Sequence, residues 1–254
     1  CAEHGYRMIF ELVDTHSDHV ERELLGAIAA LQPDGIILTP PHSDNPQIVA
    51  LLDEQAIPFV RIGSIQNGAG IPVSMDDEGS ARQATQYLIE RGHRRIGFIA
   101  GSSEYALSGW RVDGWRGAME AAGLATDGLL AQGDFSYSSG EAAARQLLEG
   151  PQRPSAIIAS NDQMALATLE VARTMGISVP HDLSLISFDN TPLVHFTQPP
   201  LTAVDQPIAA TTSKAVELII AAQKGEAPPA WLSVVSATIF ERDSVAPPSG
   251  PASA

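Results

Sequence analysis

The chain holds a single cysteine, Cys1, at its very end. An internal disulfide is therefore excluded, the fold must rest on its core, and a lone thiol fits a reducing compartment. Aromatic residues make up only 6% and charged residues 18%. Basic residues are scarce: 15 Lys and Arg stand against 30 Asp and Glu, for a formal net charge of −15. Such a chain repels nucleic acid and anionic membrane unless its charges are segregated. No run approaches the ~20 apolar residues that span a bilayer. HExxH, CxxC, a Walker-type loop and a GxSxG elbow are all missing, which removes the usual sequence support for metal hydrolysis, phosphate cradling and the hydrolase elbow. Nothing calls for a metal or a cofactor. No signal peptide is visible, but the chain opens on Cys1 rather than Met, and Ala2–His4 with Gly5 reads as a helix end. It is therefore expected to be a fragment, and the missing leader excludes little.

What is present is a 254-residue chain with 44% hydrophobic residues, enough for one large domain or two small lobes. Apolar runs suited to strands alternate with amphipathic stretches. Tyr6–Val13, Ile36–Leu38 and Phe59–Ile62 read as strands, separated by helices over His19–Leu31 and Asn45–Gln55. The Gly-rich stretch Gly63–Gly70 closes this series, and Val73–Met75 opens another. Helices are expected over Gly79–Arg91, Trp110–Ala122, Gly140–Glu149 and Pro207–Lys224, with strands at Ile96–Ala100, Leu129–Ala131, Thr202–Asp205 and Val234–Phe240. This alternation points to parallel sheets built from βαβ units. A Pro/Ser/Ala tail closes the chain and is expected to be disordered.

The most informative stretch is Ala156–Asn190. Ala156–Ala159 suits a buried strand, Asn161-Asp162 a polar turn, and Met164–Ala172 a helix that Gly176 ends by accepting a left-handed C-cap. Leu183–Phe188 is a second strand, and Asp189-Asn190 follows it. Two parallel strands joined by a helix put both polar turns at one carboxyl edge, where open α/β sheets bind ligands. Asp162 reads as a helix cap, whereas Asn161, with donor and acceptor groups, can read a hydroxyl. Asp189 is poorly explained as a cap because Pro192 interrupts any helix after it, and its carboxylate can accept two hydrogen bonds from a diol.

Other residues leave two readings open. Arg111 at the start of a helix opposes the helix dipole; it is either a solvated surface residue or a fork of donors aimed into a cleft. Phe135, between Asp134 and Ser136, either plugs the core or stacks on a sugar face. Arg61 interrupts an apolar strand; if it points into a cleft, a ligand or a neighbouring side chain should be anionic. Thr39 ends the preceding strand and could supply a hydroxyl. His16 and His19 stand three apart, but DTHSDHVE reads more simply as a solvated helix start.

Five pieces together resemble the effector-binding core of the LacI/GalR family of bacterial transcriptional repressors: VSMDDEG from Val73, LIERGHRRIGFIAG from Leu88, RVDGW from Arg111, SNDQMA from Ser160 and LISFDNTPLVHFTQPPLTAVDQ from Leu185. The closing IFERDS from Ile239 suits the last strand of the family. The resemblance runs over nearly the whole chain. It implies an α/β, type I periplasmic-binding-protein-like fold: two doubly wound parallel-sheet lobes joined by three crossover strands, with a small effector in the cleft. The lobes are expected to be residues 1–75 plus 206–233 and residues 76–205 plus 234–246, with 247–254 as the disordered tail. It further implies that Arg111, Asn161, Asp189 and Gln206 contact the effector, with Phe135 stacking on it. The effector is expected to be a sugar, sugar acid or nucleobase-like molecule. Gly63 stands where some sugar-binding members place an Asp; with Arg61 nearby, this shifts the expected effector toward an acidic or phosphorylated one. The family implies a cytoplasmic homodimer without catalytic activity, which reads operator DNA through an N-terminal helix-turn-helix that this sequence does not include. A secreted sugar-binding component of a transporter is the competing reading, and an enzyme on the same fold a distant third.

Overall fold

A computed structural model describes residues 5–14, 17, 19–64, 68–150, 152–226, 233–235 and 237–248. The chain forms two compact units: Cys1–Met75 with Pro207–Val235, and Asp76–Gln206 with Ser236–Ala254. It passes from one to the other three times, after Met75, Gln206 and Val235.

Unit 1 holds β1 (Ile36–Leu38), β2 (Phe59–Ile62), β3 (Ile71–Met75) and β9 (Ser233–Val235), in that spatial order. All are parallel, with Leu38 opposite Arg61 and Ile62 opposite Val73. Around them lie α1 (Val20–Leu31), α2 (Pro46–Glu54) and α7 (Ile208–Gln223). Helix α2 starts where Asn45 accepts hydrogen bonds from the backbone N–H of Gln47 and Ile48, with Pro46 at its first position, a combination that satisfies free donors and pre-sets φ. One core joins Val20 and Leu24 of α1 to Ile48 and Leu52 of α2. A second joins Val60 and Val73 to Ala215 and Leu218 of α7. The segment 6–14 does not form the expected strand. No strand among the described residues pairs with it, so its backbone groups have no ladder to join, and Phe10 and Leu12 are exposed.

Unit 2 holds β4 (Ile96–Ala100), β5 (Leu130–Gln132), β6 (Ala156–Ala159), β7 (Ser184–Asp189), β8 (Thr202–Asp205) and β10 (Thr238–Phe240). Their order is β10-β8-β7-β6-β4-β5, parallel except for the antiparallel β10–β8 pair. The expected single strand Val234–Phe240 is thus two strands in different sheets, since the chain changes unit between them. Strands β4 and β6 are buried throughout, as parallel strands covered on both faces must be. The helices are α3 (Asp77–Glu90), α4 (Ala106–Ala121), α5 (Tyr137–Leu148) and α6 (Asp162–Thr174). Asp76, Ser136 and Asn161 cap α3, α5 and α6 through their side-chain oxygens.

Helix α4 begins at Ala106, so Arg111 is its sixth residue and not part of its first turn; the expected clash with the helix dipole does not arise. Helix α4 also packs tightly on α3, because a Cβ on Gly114 would collide with the Glu78 carbonyl. The segment after β10 is fastened to β7 and β8: Ser244 Oγ donates to the Leu185 carbonyl and accepts from the Thr202 N–H at 2.8 Å. Of the expected disordered tail, Pro247 and Pro248 are described and 249–254 lie outside the described residues.

Candidate functional site

Close packing of α3 and α4 brings two charges together inside unit 2. Asp77 is the first residue of α3, and Arg111 Nε donates to its Oδ1 at 2.7 Å. The two side chains are only 4% and 1% exposed. Arg111 also donates through Nη1 to the Ser160 carbonyl at 2.6 Å and lies over the Phe188 ring at 4.4 Å. The open alternative is thereby resolved: Arg111 is a buried fork and not a surface residue. Burial pushes the Asp77 carboxyl up, against the pull of the Arg111 guanidinium.

Asp189 ends β7 at the same sheet edge. Its backbone is left-handed, with φ 96°, and Asn190 follows at φ 60°. Such angles are uncommon outside glycine, and Asn and Asp tolerate them best. Gln206 Nε2 donates to Asp189 Oδ1 at 2.8 Å. Burial pushes the Asp189 carboxyl up to about 6; the charges of Asp162 and Asp77 act in the same direction, and Arg111 opposes them. Beside it, Asn190 Nδ2 donates to Asp205 and Asn190 Oδ1 accepts from Arg242.

The cap expected at Asp162 lies one residue earlier. Asn161 is the cap: its Oδ1 accepts from the Met164 N–H at 2.9 Å, and its Nδ2 donates to the Phe135 carbonyl at 2.9 Å. Asp162 is the first helical residue, 2% exposed. It accepts from Ser187 Oγ and from the Thr191 N–H, both at 2.7 Å, and so ties α6 to the turn after β7. A shift of one position along the chain decides which side chain can reach back over the free N–H groups.

Phe135 has φ 74° and is half-buried against the unit 2 core. Its ring meets Tyr105 edge-on, with centroids 5.3 Å apart. It also covers Gly101, where a Cβ would collide with the ring. The carboxyl edge of unit 2 thus gathers Arg111, Asp189 and Gln206 directly, and Phe135 through Asn161.

Thr39 and Arg61 belong to unit 1. Thr39 is exposed, and its carbonyl accepts from the Ser43 N–H. Arg61 is buried and fully engaged by its own unit: Nε donates to the Ser43 carbonyl at 2.7 Å, and Nη2 to Asp44 Oδ1 at 2.8 Å and Ser64 Oγ at 2.7 Å. The anion demanded by this guanidinium is a neighbouring side chain. Sequence reasoning missed Asp44, Asp77 and Arg242. Asp77 lies in a DDE run that reads as helix-dipole charge, and only its burial sets it apart. Among the described residues no group of three or more His, Cys, Asp or Glu could hold a metal; His16 lies outside them.

Residues 85–245 match the family described as periplasmic binding protein-like domain. The chain is 36% identical over 233 residues to the HTH-type transcriptional regulator CelR of Thermobifida fusca, covering 89% of this chain and 66% of that protein. Among solved structures, a CelR–cellobiose complex superposes with a TM-score of 0.85 at 35% identity, over 96% of this chain and 75% of that one. A regulatory protein of the LacI family from Chloroflexus aggregans gives 0.84 at 31% identity, over 93% and 84%. The chain belongs to the LacI/GalR family. The match lies in the periplasmic-binding-protein-like domain, and these relatives are regulators rather than enzymes. The chain spans 66% of the length of the CelR protein. Among the described residues no helix is long and apolar enough to cross a membrane.

Proposed function

We propose that this chain is the ligand-sensing core of a bacterial transcriptional regulator. A small sugar-like effector is held at the carboxyl edge of the unit 2 sheet, and its binding is coupled to operator recognition by a DNA-binding segment of the whole protein. The observation that carries this reading is Asp189: a carboxylate in a left-handed backbone at the sheet edge, oriented by Gln206 and facing the buried Arg111. A carboxylate and a guanidinium side by side can take both hydrogen atoms and oxygen atoms of a diol.

Arg111, Asp189 and Gln206 contact the effector, and Phe135 offers it an apolar face beside Tyr105. Asn161 positions Phe135 through its carbonyl while capping α6. In unit 1, Arg61 shapes the loops after β1 and β2, and Thr39 supplies a hydroxyl. The whole protein works as a cytoplasmic homodimer, and effector and operator are linked by a coupling free energy on the order of 1–3 kcal/mol. The competing reading as a transporter component finds no support in relatives that are transcriptional regulators.

The test is a thermal-shift screen over sugars, sugar acids and nucleobases, followed by calorimetry, because a ligand that binds only the native state raises the melting point. Replacing Asp189 by Ala should weaken the hit by a few kcal/mol, through the groups left unpaired, while the chain still folds. Unchanged affinity in Asp189→Ala would remove Asp189 from the site.

A further inference from the structure

The charges at these sheet edges do not balance evenly. In unit 1 the buried Arg61 has its own carboxylate, Asp44. In unit 2 Arg111 has Asp77. One more carboxylate faces the Arg111–Asp77 pair: Asp189, held by Gln206. Beside Asp189 lies Asp162, held by Ser187 and the Thr191 N–H. Neither forms an ion pair among the described residues. At this edge the buried Arg111 cation is therefore outnumbered, with Asp77 as its partner and the carboxylates of Asp189 and Asp162 beyond it.

Helix N-termini could still attract an anion, but those of α3 and α6 are already capped by Asp76 and Asn161. What the edge leaves without a partner is neutral. The hydroxyls of Ser108, one turn before Arg111 on α4, and of Ser160, whose carbonyl Arg111 holds, are buried and make no hydrogen bond among the described residues. Buried polar groups of this kind ordinarily have partners.

Resting on the proposed effector site, we infer that the site selects uncharged, hydroxyl-rich effectors and rejects their phosphorylated or carboxylated counterparts, with Asp189 as the selecting charge. A neutral hydroxyl can donate to Asp189, whereas an anionic group meets uncompensated like charge in a poorly solvated place. The net charge of −15 on the whole chain adds a repelling field. The acidic or phosphorylated effector suggested by Arg61 in the sequence is replaced by this reading, because Asp44 already neutralises that residue.

Calorimetry with matched pairs tests it on the chain as it stands: cellobiose with cellobionate, glucose with glucose 6-phosphate, and adenosine with its 5′-monophosphate. In each pair that binds, the neutral member should bind at least about tenfold more tightly, since like-charge juxtaposition is strongly penalised. Asp189→Asn keeps the shape and removes the charge, so it should narrow that gap. A second arm needs no variant: acidification from about pH 7.5 to about pH 5 protonates Asp189, which titrates near 6 among Arg111, Asp162 and Asp77, with Asp205 opposite it on β8, and should narrow the cellobiose–cellobionate gap. Equal or tighter binding of an anionic member overturns the inference, as does a gap that neither Asp189→Asn nor acid changes. If none of the six compounds binds, the effector-site reading itself fails.

Discussion

Replacing Asp77 by Ala should be among the most damaging changes at this edge, although the sequence marks Asp77 only as one acid in a run of three. The change strips the partner from Arg111 and leaves a guanidinium 1% exposed. Breaking a buried pair on one side costs on the order of 3–5 kcal/mol, because the remaining charge is uncompensated. For a chain of this size that corresponds to a fall in melting temperature of roughly 10 °C or more. The structure also predicts how the loss is recovered. Burial already works against the Asp77 carboxylate, so the pair itself is costly to hold. The double replacement Asp77→Leu with Arg111→Met removes both charges and should regain most of the stability, while abolishing effector binding. Urea denaturation of the wild type, Asp77→Leu, Arg111→Met and the double variant closes the cycle. The control is Asp113→Ala, whose partner Arg116 sits on the surface with side chains 60% and 42% exposed; an exposed pair contributes about 1 kcal/mol at most. If Asp77→Ala loses no more than this control, the claim that Arg111 is buried and held by Asp77 is wrong.

Three further outcomes are expected. The fold holds the Asp189 proton more tightly than the unfolded chain does, with the carboxyl at about 6 instead of 3.8; this contribution is full below the lower value and lost as pH rises through the higher one, on the order of 3 kcal/mol in all. The stability difference between wild type and Asp189→Asn should follow that window, and parallel pH profiles would refute it. His93 is buried, bonded to Ser155 Oγ at 2.8 Å and the Ala246 carbonyl at 3.0 Å, and burial holds it below its ordinary 6.5. Its stabilisation is complete above that value and shrinks as pH falls below it, so the protection factor of the Ala246 amide, corrected for the intrinsic pH dependence of exchange, should fall in acid and become less pH-dependent in His93→Gln. Asn161→Ala should cost about 1–2 kcal/mol as a lost cap and loosen Phe135, seen as a lower melting point and weaker effector binding; an effect on binding alone would restore Asn161 as a direct contact.

Much of the architecture was legible because it is local. Short apolar runs mark the buried strands Phe59–Ile62 and Ile96–Ala100, and the polar turns after Ala159 and Phe188 announce the carboxyl edge of the unit 2 sheet. Local signals misled where tertiary contacts prevailed. The helix expected from Trp110 begins four residues earlier, at Ala106, because packing against α3 overrides weak propensity. Tyr6–Val13 has the composition of a strand, but composition supplies no partner, and a strand exists only as part of a ladder.

Sequence alone therefore determined the α/β alternation, the polar carboxyl edge of the unit 2 sheet and the residues Arg111 and Asp189 as candidates. Tertiary structure alone decided which charges are spent. Arg61 finds Asp44, 17 positions away, and Arg111 finds Asp77, 34 positions away. No pattern within either segment encodes those meetings. They depend on which loop ends and helices the packed sheets bring together, and on burial, which makes an unmatched charge too costly to keep.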